Sequence, residues 1–252
     1  MRNLDYTSLV LDIESWIANY IISANANGVV IGISGGIDSA VVATLCVHAL
    51  GKENVIGLAL PIESLPEDLK DGKMIAENLQ ISFFICDLTF VYREILKRSP
   101  LKFEKNKLAK ANIKPRLRMI MNYYIGQSLG NFLVVGTGNK TEIAIGYFTK
   151  YGDGGIDFEP IGDLYKCEVR KIAKVLELPE KIINKPPSAG LWLGQTDEGE
   201  IGLKYDIIDE ILYRTDNNLA YDGLNHENVS RVKKMVNLAQ HKNKMPSIYK
   251  IT

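Results

Sequence analysis

The sequence predicts an α/β protein built on a doubly wound parallel sheet with helices on both faces. Three observations carry that expectation. Short apolar runs alternate along the chain with longer segments whose apolar residues recur every three or four positions. The short runs are apolar at successive positions, as strands covered on both faces are. Two Gly-rich turns, "SGGIDS" and "GTGNKTE", each follow such a run and open a helix.

The elements follow in order. Residues 5–25 carry Leu9, Ile13, Trp16, Ile17 and Tyr20 on one helical stripe, and Gly28 marks its end. A strand is expected over 29–33, then a helix over 38–50 stopped by Gly51. "NVIGLAL" (54–60) reads as a second strand, 64–80 as a helix with Pro near its first turn, and "ISFFICDL" (81–88) as a third strand. A polar stretch, 97–113, leads into a helix over 115–129, which should begin at Pro115 because proline suits a first turn. Residues 131–148 repeat the strand–turn–helix theme. Beyond them, 151–165 and 185–202 are rich in Gly, Pro and Asp and long for passive connections, so both are candidate functional loops. Helices are expected over 166–177, 204–214 and 226–240, and the whole of 1–252 is read as one domain. Ligands in such sheets bind beyond the carboxyl ends of the strands, where both Gly-rich turns would lie.

Bulk properties narrow the function. The 252 residues are 46% apolar and 24% charged, with a formal net charge of zero. No polybasic block is present, so nucleic acid is not an expected partner. Cys46, Cys86 and Cys167 are scattered and form no CxxC pair, which argues for a reducing compartment and against disulfides or a zinc site. The first residues show no cationic segment leading into an apolar core, and no apolar run approaches the ~20 residues that span a bilayer. A cytoplasmic location without membrane association is expected.

The first Gly-rich turn is shaped for phosphate. Ser34, Gly35 and Gly36 can aim backbone N–H groups at one anion, and the helix behind them adds its positive end. The Gly-Lys-Ser/Thr ending of a P-loop is missing. Asp38 in the first turn would repel phosphate unless a divalent cation lay between them, and Mg²⁺ takes one or two carboxylates plus phosphate oxygens. The alternative is a plain βα turn with Asp38 favouring the helix dipole.

In its strand–turn–helix setting, SGGxDS resembles the signature of the N-type ATP pyrophosphatases, enzymes of Rossmann-like, adenine nucleotide α-hydrolase-like fold that cleave ATP between its α- and β-phosphates. "KPRLRM", "GTGNKTE", "YFTKYGDGGIDFEPIGDLYK", "PPSAGLWLGQTDE" and "HK" then resemble, in order and approximate spacing, the motifs of ammonia-dependent NAD synthetase. That resemblance implies ATP, deamido-NAD and ammonia as substrates. The nicotinate carboxylate would become an adenylate, and ammonia would then displace AMP to give NAD.

The resemblance also implies roles for single residues. Gly32, Ile33, Ser34, Gly35, Gly36, Ile37, Asp38 and Ser39 would form the ATP loop, joined by Thr137, Lys166 and Ser188. Asp38 and Glu142 would hold Mg²⁺. Arg116, Lys150, Asp157, His241 and Lys242 fall on deamido-NAD positions, and Asp153 on the residue that receives or deprotonates ammonia. Asp38, Asp153 and Lys166 are thus the expected catalytic groups. Arg118 is read as structural or as a contact to a partner subunit. Thr141 stands where the family commonly has Ser, and Pro115 where Ala often precedes the first Arg. A homodimer with the deamido-NAD site at its interface is implied. The 5–25 helix and Met119, Ile120, Tyr123 and Tyr124 are candidates for that surface, although core packing would demand the same apolar stripe.

There is no room for the amidohydrolase domain of glutamine-dependent relatives, so free ammonia is the expected donor unless a separate glutaminase delivers it. Two other readings compete. The same ATP chemistry could serve GMP, asparagine or tRNA modification, but tRNA work predicts basic surface or cysteine motifs. A nucleotide sensor without catalysis is the reading of a different class, and the presence of Asp38, Glu142, Lys166 and Asp153 argues against it.

Overall fold

The computed structural model describes residues 1–100, 106–188, 190–192 and 194–251. Part of the polar stretch over 97–113, and two positions of the loop over 185–202, lie outside the described residues. The chain begins with helix α1 (Tyr6–Ser23), whose first N–H groups, on Thr7 and Ser8, donate to the Asp5 carboxylate. Strand β1 (Gly28–Gly32) runs into helix α2 (Ile37–Leu50), which ends at Gly51 as expected. A single 3₁₀ turn (Lys52–Asn54) precedes β2 (Val55–Ala59), followed by α3 (Pro66–Leu79), β3 (Ser82–Ile85) and α4 (Thr89–Arg98). Next come α5 (Lys107–Ala111), α6 (Ile113–Ser128), β4 (Phe132–Val134) and α7 (Lys140–Ile145). The remainder is helical: α8 (Lys166–Val175), α9 (Glu180–Ile183), α10 (Asp197–Ile201), α11 (Tyr205–Asp216) and α12 (His226–Ala239).

All strand pairs are parallel, in the order β3-β2-β1-β4. Side chains alternate across the sheet. Val29, Ile31 and Val55 join a core with α1, α2, α3, α8 and α9, while Val30, Ile56 and Leu58 join one with α4 and α6. The doubly wound expectation therefore holds. A third cluster joins α7, α11 and α12 around Tyr165, Tyr205 and Ile208. No helix among the described residues is long and apolar enough to cross a membrane.

Two expectations are corrected. The strand expected over 81–88 is a four-residue edge strand, and Phe84 and Ile85 are 55% and 53% exposed rather than covered on both faces. A continuous apolar run reports hydrophobicity but not which strand ends a sheet. The long helix begins at Ile113, two residues before Pro115. Proline is accommodated because N–H groups in a first turn have no intrahelical acceptor. The early start buries Lys114, whose Nζ donates to Leu191 O at 2.8 Å. Farther along α6, Gly126 lets the helix lie directly on β4, since a Cβ there would sit 2.6 Å from Phe132 O.

Candidate active site

β1 has β2 on one side and β4 on the other, so the order in which the parallel strands are added switches sides of the sheet at β1. The turns leaving β1 and β4 diverge at this switch point, which is where such sheets hold ligands. The two Gly-rich turns are these connections. In the first, Ser34 Oγ lies 3.1 Å from Ser39 Oγ and accepts from Gly36 N, and Ser39 Oγ donates to Gly36 O. The loop is closed on itself, and no side chain caps the start of α2. Ile33 and Ile37 bury their side chains in the core, so only their backbone can face a ligand. Gly32 ends β1 and completes the run of ATP-loop residues expected from sequence.

Asp38, Glu142 and Lys166 come together from three different helix starts. Lys166 Nζ donates to Asp38 Oδ2 at 2.6 Å and to Glu142 Oε1 at 3.0 Å, and the lysine is 1% exposed. Burial works against its charge, but the two carboxylates outweigh it and hold the ammonium above its usual range. One positive charge cannot fully compensate two carboxylates. Burial pushes the Glu142 carboxyl up to about 7 against the pull of Lys166, with Asp38 adding to the push.

Residues that sequence reasoning missed surround this triad. Asn139 donates to Asp38 Oδ1 at 3.0 Å and forms a reciprocal capping box with Glu142. That box was readable in the N-x-x-E spacing. Tyr205 donates to Glu142 Oε1 at 3.2 Å and also lies 3.1 Å from Asp197 Oδ2. Asp209 accepts from Thr141 Oγ1 at 2.5 Å and from Cys167 N at 2.8 Å, while Thr141 accepts from Lys166 N. Thr141 thus keeps the hydroxyl its position needs. Tyr205 and Asp209 lie about 65 residues beyond Glu142 and Thr141, with no local signal to mark them.

Asp38 and Glu142 suit a small divalent cation. Both are carboxylates, and an oxygen of each lies within 3.0 Å of one cationic nitrogen. Among the described residues no group of three or more His, Cys, Asp or Glu is arranged for a metal, so the remaining ligands would be phosphate oxygens and water.

A second group forms where α6, the 147–155 segment and the end of α12 meet. Arg116 Nη2 donates to Lys150 O at 3.3 Å, and Lys150 Nζ donates to His241 O at 2.5 Å. Lys242 Nζ donates to Gly146 O and Phe148 O, both at 2.7 Å. Burial lowers the Lys242 ammonium, with Arg116 adding to the effect and Asp153 opposing it. Asp153 accepts from Thr149 N at 2.8 Å, and desolvation raises its carboxyl against Arg118 and Lys242. Arg118 is tied inward, donating to Leu60 O at 3.0 Å.

The other expected ligands differ in availability. The Thr137 hydroxyl has no hydrogen-bond partner among the described residues. Ser188 Oγ donates to Gln195 O at 2.8 Å and accepts from Gly190 N, so it also shapes its own loop. Asp157 accepts from Tyr123 at 3.0 Å and from Val134 N at 2.7 Å, which commits both oxygens within the chain. Glu159, missed from sequence, lies against the second Gly-rich turn. A Cβ at Gly138 would stand 2.6 Å from its Oε1. Burial pushes its carboxyl up to about 7, with Asp153 and Glu142 contributing.

Comparison with known proteins identifies the family. A family model described as NAD synthase matches residues 9–246. The NH(3)-dependent NAD(+) synthetase of Archaeoglobus fulgidus is 44% identical over 250 residues, covering 98% of each chain. The structure of NMN synthetase from Francisella tularensis superposes with a TM-score of 0.90 at 33% identity, covering 99% of this chain and 100% of that one. The NH3-dependent NAD synthetase of Campylobacter jejuni superposes at 0.84 with 32% identity, covering 98% of this chain and 100% of that one. The match runs through both Gly-rich turns and the segments that carry the Asp38–Lys166–Glu142 triad, and the chain therefore belongs to the NAD synthase family.

Proposed function

We infer that the protein is an ammonia-dependent NAD synthetase, a ligase that forms the amide of NAD from deamido-NAD, ATP and ammonia. The observation that carries this reading is the Asp38–Lys166–Glu142 triad beside the Ser-Gly-Gly loop, in a chain matched to the family over residues 9–246.

The nicotinate carboxylate attacks the α-phosphorus of ATP, the α–β bridging bond breaks, and pyrophosphate leaves. Ammonia then attacks the acyl carbon, AMP departs, and one proton is lost from nitrogen. Catalysis rests on positioning and charge neutralisation. The N–H groups of the Ser34–Ser39 loop and the open start of α2 receive the pyrophosphate. Lys166 holds the two carboxylates together and is placed to meet the triphosphate. Asp38 and Glu142 would hold Mg²⁺, which when bound neutralises phosphate charge. Thr137 offers its hydroxyl to ATP, and Ser188 adds a second. Arg116, Lys150 and Lys242 supply positive charge for the acceptor, with His241 and Asp157 shaping its walls. Asp153 accepts the proton that ammonia loses, and the burial that raises its carboxyl makes it a stronger base than a solvated aspartate.

The whole chain acts as one catalytic unit, and a cytoplasmic location is supported by three unpaired cysteines. We include a homodimer in the proposal, supported by Ile120 and Tyr124 on the outer face of α6, which are 56% and 66% exposed.

A second reading changes only the acceptor. The 0.90 superposition on an NMN synthetase favours nicotinate mononucleotide as an acceptor, amidated by the same two steps. The test is to supply ATP, Mg²⁺ and ammonium with each acceptor and quantify amide, AMP and pyrophosphate. Equimolar products with deamido-NAD are expected. Preference for the mononucleotide selects the second reading, and no amide from either acceptor overturns both.

A further inference from the structure

Outside the triad, a second ion cluster, built on the buried Asp71, touches the phosphate loop. Lys185 Nζ donates to Gly35 O at 3.1 Å, to Asp68 Oδ1 at 2.8 Å and to Asp71 Oδ2 at 2.6 Å. Asp71 is only 1% exposed, and its other oxygen lies 2.6 Å from Lys181 Nζ. The aspartates sit on α3, and the lysines flank the end of α9. The loop is pressed directly onto α3: Gly35 has φ +77°, and a Cβ there would lie 2.4 Å from Asp68 O. Lys185 is the only one of these side chains that reaches a loop carbonyl, and it stands three residues before Ser188.

A trans peptide is planar, so its C=O and the following N–H point in opposite directions. Drawing Gly35 O outward to Lys185 turns Gly36 N–H inward, where it meets Ser34 Oγ at 3.3 Å. A flipped peptide would put a carbonyl oxygen where an anion is to bind. Gly35, lacking a Cβ, has the freedom to make that flip, which the Ser34 Oγ contact opposes from within the loop and Lys185 opposes from outside it.

We propose that Lys185 is a positioning residue for the nucleotide site. It locks the Gly35–Gly36 peptide with its N–H toward the phosphates and joins the phosphate loop to the segment carrying Ser188. Asp68 and Asp71 hold the ammonium at that station. The inference rests on reading the Ser-Gly-Gly loop as the pyrophosphate-holding loop.

The test uses inorganic pyrophosphate with Mg²⁺ as the probe, read by calorimetry, alongside KM values for ATP and the acceptor. Lys185→Met should weaken pyrophosphate binding and raise the KM for ATP by roughly tenfold to a hundredfold, the scale of small misplacements in a site. The acceptor KM should stay near that of the parent chain, and Lys185→Arg should restore most of the loss. If the buried Asp71, left with Lys181 alone, prevents Lys185→Met from folding, the double variant Asp71→Asn/Lys185→Met removes both charges and carries the same comparison. A folded variant of lowered thermal stability with unchanged pyrophosphate affinity would reduce Lys185 to a purely structural role and overturn the proposal. Pyrophosphate binding is read without turnover. A failure here is therefore distinct from a failure to make NAD, and parent protein that binds no pyrophosphate would sink the loop reading itself.

Discussion

At the scale of single residues, the site is governed by how incompletely its charges are compensated. Lys166 serves two carboxylates, and the Glu159 carboxylate has no hydrogen-bond or ion-pair partner among the described residues. A carboxyl whose folded pKa is raised binds its proton more tightly in the folded state, so ionising it costs stability. For Glu159 that cost is absent below about 4.5, grows as pH rises, and is complete above about 7. Glu159→Gln should therefore raise the melting temperature at pH 8 and change it far less at pH 5. Equal shifts at both pH values, or a loss at pH 8, would contradict the assignment. The expected residues divide by what their side chains already do. The Thr137 hydroxyl has no partner among the described residues, Ser188 and Asp157 are engaged within the chain, and Ile33 and Ile37 can contribute only backbone. Sequence resemblance places a residue near a ligand; it does not say whether its side chain is already committed.

At the scale of elements, three helix starts converge on the triad, and α11 holds two of them in register. Asp209 accepts from Thr141 on α7 and from the first N–H groups of α8 at Cys167, and the Thr141 hydroxyl accepts from Lys166 N. Removing the carboxylate leaves buried donors unsatisfied, at a cost of about 1–3 kcal/mol. Asp209→Ala should lower the urea midpoint and raise the KM for ATP, because Lys166 and Glu142 lose their common brace. Thr141→Val should act in the same direction with a smaller effect. A destabilised Asp209→Ala chain with an unchanged KM for ATP would confine Asp209 to helix docking. The helices themselves were legible from apolar spacing, as α1, α2 and α12 confirm within a few residues. The start of α6 was not. Pro115 marks a position that fits a first turn but cannot say which residue of that turn it is.

At the scale of the whole molecule, α6 resolves a choice that an apolar stripe left open. Leu117, Met121 and Ile125 pack beneath it against the sheet, while Ile120 and Tyr124 face outward, so the helix has separate inner and outer apolar faces. α1 likewise buries Val10, Ile13, Ile17 and Ile21 and leaves Leu11 and Ile22 exposed. Large contiguous apolar patches mark interaction surfaces, and these residues are where the proposed one would lie. If α6 forms the proposed dimer interface, Ile120→Glu/Tyr124→Glu should sediment as a monomer with an intact fold by circular dichroism, where the parent sediments as a dimer. A monomeric parent chain would remove the dimer from the proposal.

The sequence by itself determined the class of fold and the two Gly-rich turns at one edge of the sheet, while its resemblance to the family singled out Asp38, Glu142 and Lys166. It could do so because strand–turn–helix signals and phosphate-loop chemistry are local, written within a dozen residues. Only the tertiary structure decided that β3 is the edge strand, that Lys166 bridges both carboxylates, and that Tyr205, Asp209 and Lys185 support the site. Those facts depend on the strand order and on contacts between segments 40 to 150 residues apart. Such contacts form only when the chain buries its apolar surface, and no local pattern records which polar groups will be carried inward together.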